Sequence, residues 1–229
     1  MLQTILFDID TQFDFMNPDG KLYAKGAQEL LPNLSNLFAL AERHRYTTIS
    51  TMCAHTPDDP EFKQFGPHCI NGTPGQLRIM PDRPRLPLRT ISADARGGVV
   101  FETGIHYIVE KRKLDLLTNT WMANMLKKGK LSGFQAIVFG VATEYCVNDA
   151  VKGLLGAKIK TYVITDAVKA IDEAAGARTI EDWRSKGVNL LSTKELFENF
   201  RWLGHMPAQG QETTVGTPRP KYPGHAPRH

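Results

Sequence analysis

Cysteine is scarce in this chain. Its 229 residues hold three, Cys53, Cys69 and Cys146, odd in number and widely spaced. That pattern excludes a disulfide framework and fits a reducing, cytoplasmic compartment. Long apolar runs are missing as well. None approaches the roughly 20 residues needed to cross a bilayer, so no membrane association is expected. The opening "MLQTILFDID" lacks a basic n-region and a small-residue cleavage site, which argues against a signal peptide. Neither a G-x-G-x-x-G turn nor a Walker lysine loop is present, which sets aside the common nucleotide-binding motifs. The sequence shows no internal repeat. The net charge of +4 comes from scattered basic residues, so no nucleic-acid partner is expected. What is there, 41% hydrophobic and 23% charged residues, is ordinary globular composition. The length suffices for one sizeable core.

Strands and helices alternate along the chain. "TILFDID" (Thr4–Asp10), "TTISTMC" (Thr47–Cys53), "YIVEK" (Tyr107–Lys111), "AIVFG", "IKTYVIT" and "VNLL" read as short buried strands. Between them, Leu30, Leu31, Leu34, Leu37, Phe38 and Ala41 recur at helical spacing up to about Arg45. Further helices are expected over Thr120–Lys128, over Cys146–Leu155 with Gly156 as the residue beyond, and over Glu173–Lys186. Asp172 is placed to cap the last of these and Gly187 to end it. "STKE" (Ser192–Glu195) has the form of a capping box and opens a final helix through Leu203. This alternation predicts parallel crossovers, and so a three-layer α/β/α sandwich on a mostly parallel sheet of about six strands.

Two stretches lack periodicity. Ala54 to Gly98 is dense in Pro, Gly, Asp and Arg and reads as one long loop. Its Arg78, Arg83, Arg85, Arg89 and Arg96 read as solvated. Residues 205–229 read as a Pro/Gly-rich tail beyond a domain spanning 1–204, free or packed on its own or a neighbouring subunit. Cys69 reads as a packing residue, and His44, His106, His205, His225 and His229 as surface residues.

In open parallel sheets, ligands bind beyond the carboxyl ends of the strands. The chemistry-bearing residues gather there. Asp10 ends the first strand, Cys53 ends the second with His55 just beyond, Lys111 ends "YIVEK", and "AIVFG" leads into Cys146. A thiol at a helix N-terminus beside an ammonium favours thiolate. A carboxylate can take its proton and return it to a leaving group. Backbone N–H groups of the turn can hold an oxyanion. Together these describe acyl transfer through a thioester, followed by hydrolysis. No histidine lies in the cysteine turn, so a papain-like dyad is not the reading.

"DIDTQFDF" resembles the D-x-Q-x-D-F opening of the isochorismatase-like cysteine hydrolases, which include the nicotinamidases. "GVATEYCV" is similar to that family's nucleophile turn, "HCINGTPG" (His68–Gly75) to the nicotinamidase H-C-x-x-G-T-P-G loop, and "VEKRKLD" to its lysine segment. "DAVKAID" and "GVNLLSTKEL" match its C-terminal rhythm, so the likeness runs from about Ile5 to Leu196.

The resemblance implies Cys146 as nucleophile, Asp10 as general base and acid, and Lys111 as their positive partner. It selects Asp10 over Asp8 and Lys111 over Lys113. It also implies a cis Val141–Ala142 peptide, with the N–H groups of Ala142 and Cys146 as oxyanion hole. Gln12, Phe15, Phe65 and Tyr145 would line the substrate pocket. The implied substrate is a small planar amide or carbamoyl compound, and the implied assembly a dimer or tetramer of identical chains. The thioester chemistry needs no cofactor. Metal-binding nicotinamidases carry an Asp-x-His pair after strand two. Here it is Cys53-Ala54-His55, which with His68 still makes a three-ligand set competent for zinc or a similar divalent ion. "LDLLTNTW" replaces the family's Tyr-Ser-Gly-Phe segment, which sets nicotinamide itself apart from amides in general. The alternatives are an isochorismatase-type hydrolase of a non-amide substrate and a non-catalytic ligand-binding member of the fold.

Overall fold

The computed structural model describes residues 2–79, 85–95 and 99–198. Seven strands form one parallel sheet. They are β1 (Gln3–Ile9), β2 (Thr47–Cys53), β3 (Leu88–Ile91), β4 (His106–Lys111), β5 (Phe134–Val141), β6 (Lys160–Lys169) and β7 (Asn189–Leu191), in the order β3-β4-β2-β1-β5-β6-β7. Six strands were expected from the sequence, and the seventh is β3, inside the stretch read as a loop. Only Ile91 of its four residues is buried. An edge strand with one inward side chain carries almost no hydrophobic signal.

Strand alternation sorts the core into two layers. On β1, Ile5, Phe7 and Ile9 face one side, together with buried residues of α2 (Thr120–Lys127), α3 (Asn148–Gly156) and α4 (Glu173–Ser185). Leu6 faces the other, with α1 (Leu31–His44) and Leu196 of α5 (Thr193–Glu198). The result is the expected three-layer sandwich.

The helix ends follow local chemistry. Pro32 sits in the first turn of α1, where no N–H is needed. Asn119 accepts hydrogen bonds from the Trp121 and Met122 N–H groups at the start of α2. Asp172 accepts one from Ala175 at the start of α4, and Gly187, at φ 79°, ends that helix. Ser192 and Glu195 form the capping box of α5. One ending differs: α3 runs through Gly156, and the left-handed residue that follows it is Lys158 (φ 58°). The end of the final helix and the 205–229 tail lie outside the described residues. Among the described helices, none is long and apolar enough to cross a membrane.

Chain order reverses beside β1, whose neighbours are β2 and β5. This switch point opens a crevice at the carboxyl ends of the strands. There Gly140 of β5 adopts φ 119°, and a Cβ on it would collide with the Ile9 carbonyl. Only glycine lets the two strand ends come this close.

Candidate active site

Asp10, Lys111, Cys146 and Cys53 meet at this crevice. Asp10 leaves β1 in the left-handed region (φ 47°) and is fully buried. Thr51 fixes it twice: the Asp10 N–H donates to Thr51 Oγ1 at 3.1 Å, and that hydroxyl donates to Asp10 Oδ1 at 2.6 Å. Lys111 closes β4 in register with Cys53 of β2, so the two side chains share a face. The Lys111 ammonium lies 2.8 Å from Asp10 Oδ2, 3.1 Å from the Lys113 carbonyl, 3.2 Å from Cys53 Sγ and 3.5 Å from Cys146 Sγ. Lys113 thus contributes only its carbonyl. Cys146 sits in the single π-helical turn Thr143–Val147 that joins β5 to α3, and the Val141–Ala142 peptide before it is cis.

The charges of this cluster hold one another in place. Burial alone would discharge Lys111, but Asp10 and the two sulfurs outweigh it and push its pKa well up. The Cys146 thiol is pushed up as well, first by its interaction with Cys53 and then by burial, against the pull of Lys111. Burial and the second sulfur thus work against the thiolate that helix position and a neighbouring ammonium favour, and Asp10 already engages the ammonium.

A narrow cavity of about 20 Å³ opens on this cluster, lined by Cys53, Ala142 and Cys146, by Phe15, Leu22, Phe65, Leu114, Tyr145 and Ile171, and by Glu61 and His68. Phe65 and Tyr145 meet edge to face at 5.2 Å. Gln12, expected in the pocket, is not part of its lining. Its amide accepts from the Cys53 N–H at 2.7 Å and donates to the carbonyls of Cys53 (2.9 Å) and Gln76 (2.8 Å). Backbone uses both ends of the side chain, so Gln12 clamps the end of β2.

Beside the cavity, His55, Glu61 and His68 bring one ligand atom each to within 4.8 Å of one another. Asp59 holds His55 Nδ1 at 2.9 Å, and the Gly66 carbonyl holds His68 Nδ1 at 2.8 Å. Each ring therefore presents Nε2 to Glu61, at 3.8 and 3.9 Å. Burial lowers the pKa of His68, which favours the neutral imidazole that metals bind. His55 Nε2 is buried without a hydrogen-bond partner among the described residues. The set therefore fits a divalent ion. Cys53, expected as a ligand, is turned away: register with Lys111 aims its sulfur at the ammonium, and Glu61 is the third group beside the two histidines. Sequence reading missed Glu61 and Asp59 because they lie in "DDPEFKQF", which has no period. Three acids, Asp58, Asp59 and Glu61, between two histidines were the available signal.

A second buried network lies two residues back on β1. Asp8 pairs with Arg78 and accepts from Ser50 Oγ at 2.7 Å, and Ser50 meets His106 Nε2 at 2.8 Å. Arg78 also donates to the Thr51 carbonyl and to Thr11 Oγ1, both at 2.8 Å. Arg78 and His106, read as exposed, are buried here. A lone buried carboxylate requires a cation, and Arg78 supplies it. Arg83 and Arg96 lie outside the described residues.

The Isochorismatase domain model matches residues 4–195, and the chain belongs to that family. A nicotinamidase of Acinetobacter baylyi is 27% identical over 208 residues, covering 83% of this chain and 93% of the relative. Among solved structures, a pyrazinamidase of Pyrococcus horikoshii in complex with zinc superposes with a TM-score of 0.67 at 22% identity, covering 83% of this chain and 99% of that one. An N-carbamoylsarcosine amidase of Thermoplasma acidophilum gives 0.62 at 21% identity, covering 85% and 98%.

Proposed function

We propose that the protein is a cysteine-dependent hydrolase of small amide or carbamoyl C–N bonds, acting through a thioester. The observation that carries this reading is the buried cluster of Asp10, Lys111 and Cys146 opening on an apolar, aromatic-lined cavity. The relatives named above support it, since a nicotinamidase, a pyrazinamidase and an N-carbamoylsarcosine amidase share the amide bond as their point of attack.

Cys146 Sγ attacks the carbonyl carbon while Asp10 takes the thiol proton, so that little free thiolate need build up. Lys111, 2.8 Å from Asp10 Oδ2, orients the carboxylate for that step and faces the sulfur as negative charge develops. The N–H groups of Ala142 and Cys146 receive the oxyanion. Asp10 then returns the proton to the departing nitrogen, releasing ammonia or an amine. Water attacks the thioester with Asp10 again as base, and Cys146 leaves as the thiol. Phe15, Phe65 and Tyr145 would offer a planar acyl group an aromatic wall. His55, Glu61 and His68 would hold a divalent metal, which when bound supplies Lewis acidity at the cavity edge.

Ammonia release from a panel of small amides tests the reading. Cys146→Ala should abolish it while the circular dichroism spectrum and melting transition persist. Turnover retained in that variant would overturn the thioester mechanism.

A further inference from the structure

Cys53 is unused by the hydrolysis above, yet no other cysteine is placed as it is. Its sulfur and that of Cys146 contact one ammonium, at 3.2 and 3.5 Å, and both line the same cavity. Both are free thiols, 1% and 5% exposed. The Cys53 sulfur also lies 3.6 Å from Asp10 Oδ2. Cys69 is a free, fully buried thiol as well, but it is not among the cavity-lining residues. A nucleophilic thiol with a second thiol beside it, a base in contact and a passage for a small reagent is the arrangement that traps a sulfenic acid as a disulfide.

We propose that Cys53 and Cys146 form a reversible disulfide when a hydroperoxide enters the cavity, switching the enzyme off and protecting its nucleophile. Cys146 Sγ attacks the peroxide O–O bond as Asp10 takes its proton, and the leaving oxygen departs on receiving that proton, giving Cys146 sulfenic acid and an alcohol or water. Cys53 Sγ then attacks the sulfenic sulfur; Asp10 accepts the Cys53 proton, and the hydroxyl leaves as water on taking that proton. Two thiols are oxidised by two electrons and one hydroperoxide is reduced. A small dithiol reverses the bond by exchange through a mixed disulfide. The loss of activity rests on Cys146 being the hydrolytic nucleophile; the disulfide itself does not.

The test is peptide mapping of the full-length protein by non-reducing mass spectrometry after mild hydrogen peroxide. A linked peptide pair containing Cys53 and Cys146, two hydrogens lighter than the thiols, is expected. It should vanish with dithiothreitol as lost amide hydrolysis returns in full. Cys53→Ser should instead carry sulfinic or sulfonic acid at Cys146 that dithiothreitol does not remove. A Cys53–Cys69 link, an overoxidised Cys146 beside a free Cys53 in the wild type, or an untouched Cys146 would overturn the proposal. The mapping is independent of turnover. A linked pair in a protein that hydrolyses no amide would refute the amidase reading and leave the disulfide standing.

Discussion

Two buried carboxylates leave the same strand two residues apart, and they differ in what they face. Asp8 pairs with Arg78 and is closed in by Ser50, Thr11 and His106. Asp10 pairs with Lys111 and stands beside two sulfurs that line a cavity. Both pairs carry the desolvation cost of buried charge, and removing one member of such a pair costs about 3–5 kcal/mol. Burial and an ion pair therefore do not mark a reactive site. What sets Asp10 apart is a thiol within 3.6 Å and sulfurs that line a cavity. The cation differs in keeping with this. Arg78 forks between several oxygens and holds the segment after the "HCINGTPG" loop against β1 and β2, whereas Lys111 gathers a carboxylate and two thiols around one point charge.

Asparagine at each position breaks the comparison most sharply. Asp10→Asn should lower amide turnover by about 10²–10⁴-fold, the usual contribution of a positioned acid–base group. Asp8→Asn should instead lose about 3–5 kcal/mol of unfolding free energy in urea, because Arg78 stays buried without its anion. Its turnover per folded molecule should persist. Equal losses of turnover in the two variants would show that Asp8 belongs to the chemistry and that the division drawn here is wrong.

A third carboxylate extends the contrast. Glu61, with two histidines instead of a cation, suits a metal in place of an internal counter-charge. Zinc added to the purified protein should be retained at about one ion per chain, as for a three-ligand site. His55→Ala/His68→Ala should retain none by elemental analysis, while Cys53→Ser should keep it. Zinc lost with Cys53→Ser would restore that residue to the ligand set.

The sequence disclosed these groups unevenly, for physical reasons. Asp10, Lys111 and Cys146 follow apolar runs, and the strand period puts run ends at one edge of a parallel sheet. Their meeting could thus be read before any coordinates. The caps at Asp172, Gly187 and Ser192 were legible because each is a local hydrogen bond or backbone conformation. Cys53 was misplaced because residue type suggests ligation, while direction depends on register with Lys111, which one strand alone does not contain. Arg78 and Glu61 stand in segments without period, where only tertiary contacts decide burial. Gln12 was read as substrate-facing because a side-chain amide looks the same whether it binds a ligand or a backbone.

His106 shows the same limit and gives the finest test of the Asp8 region. It opens β4 at a position that reads as a strand end in water, yet it is fully buried, packed by Phe38 at 5.9 Å and bonded to Ser50. Burial first, and then the positive charge of Arg78, bring its pKa down to about 3. In the unfolded chain the imidazole titrates near its ordinary value of about 6.5. Between those two values the unfolded chain binds a proton that the fold refuses. Stability must therefore fall as pH drops through that window, by up to about 1.4 kcal/mol per pH unit, and level off for this group below it. His106→Gln removes the titration and can keep a hydrogen bond to Ser50. Urea unfolding of both proteins at pH 7, 6, 5 and 4 should show the variant losing less stability than the wild type at each step down from about pH 6.5. Parallel curves would mean that His106 takes up its proton in the folded state, and that the Asp8 network is as open to protons as the Asp10 site.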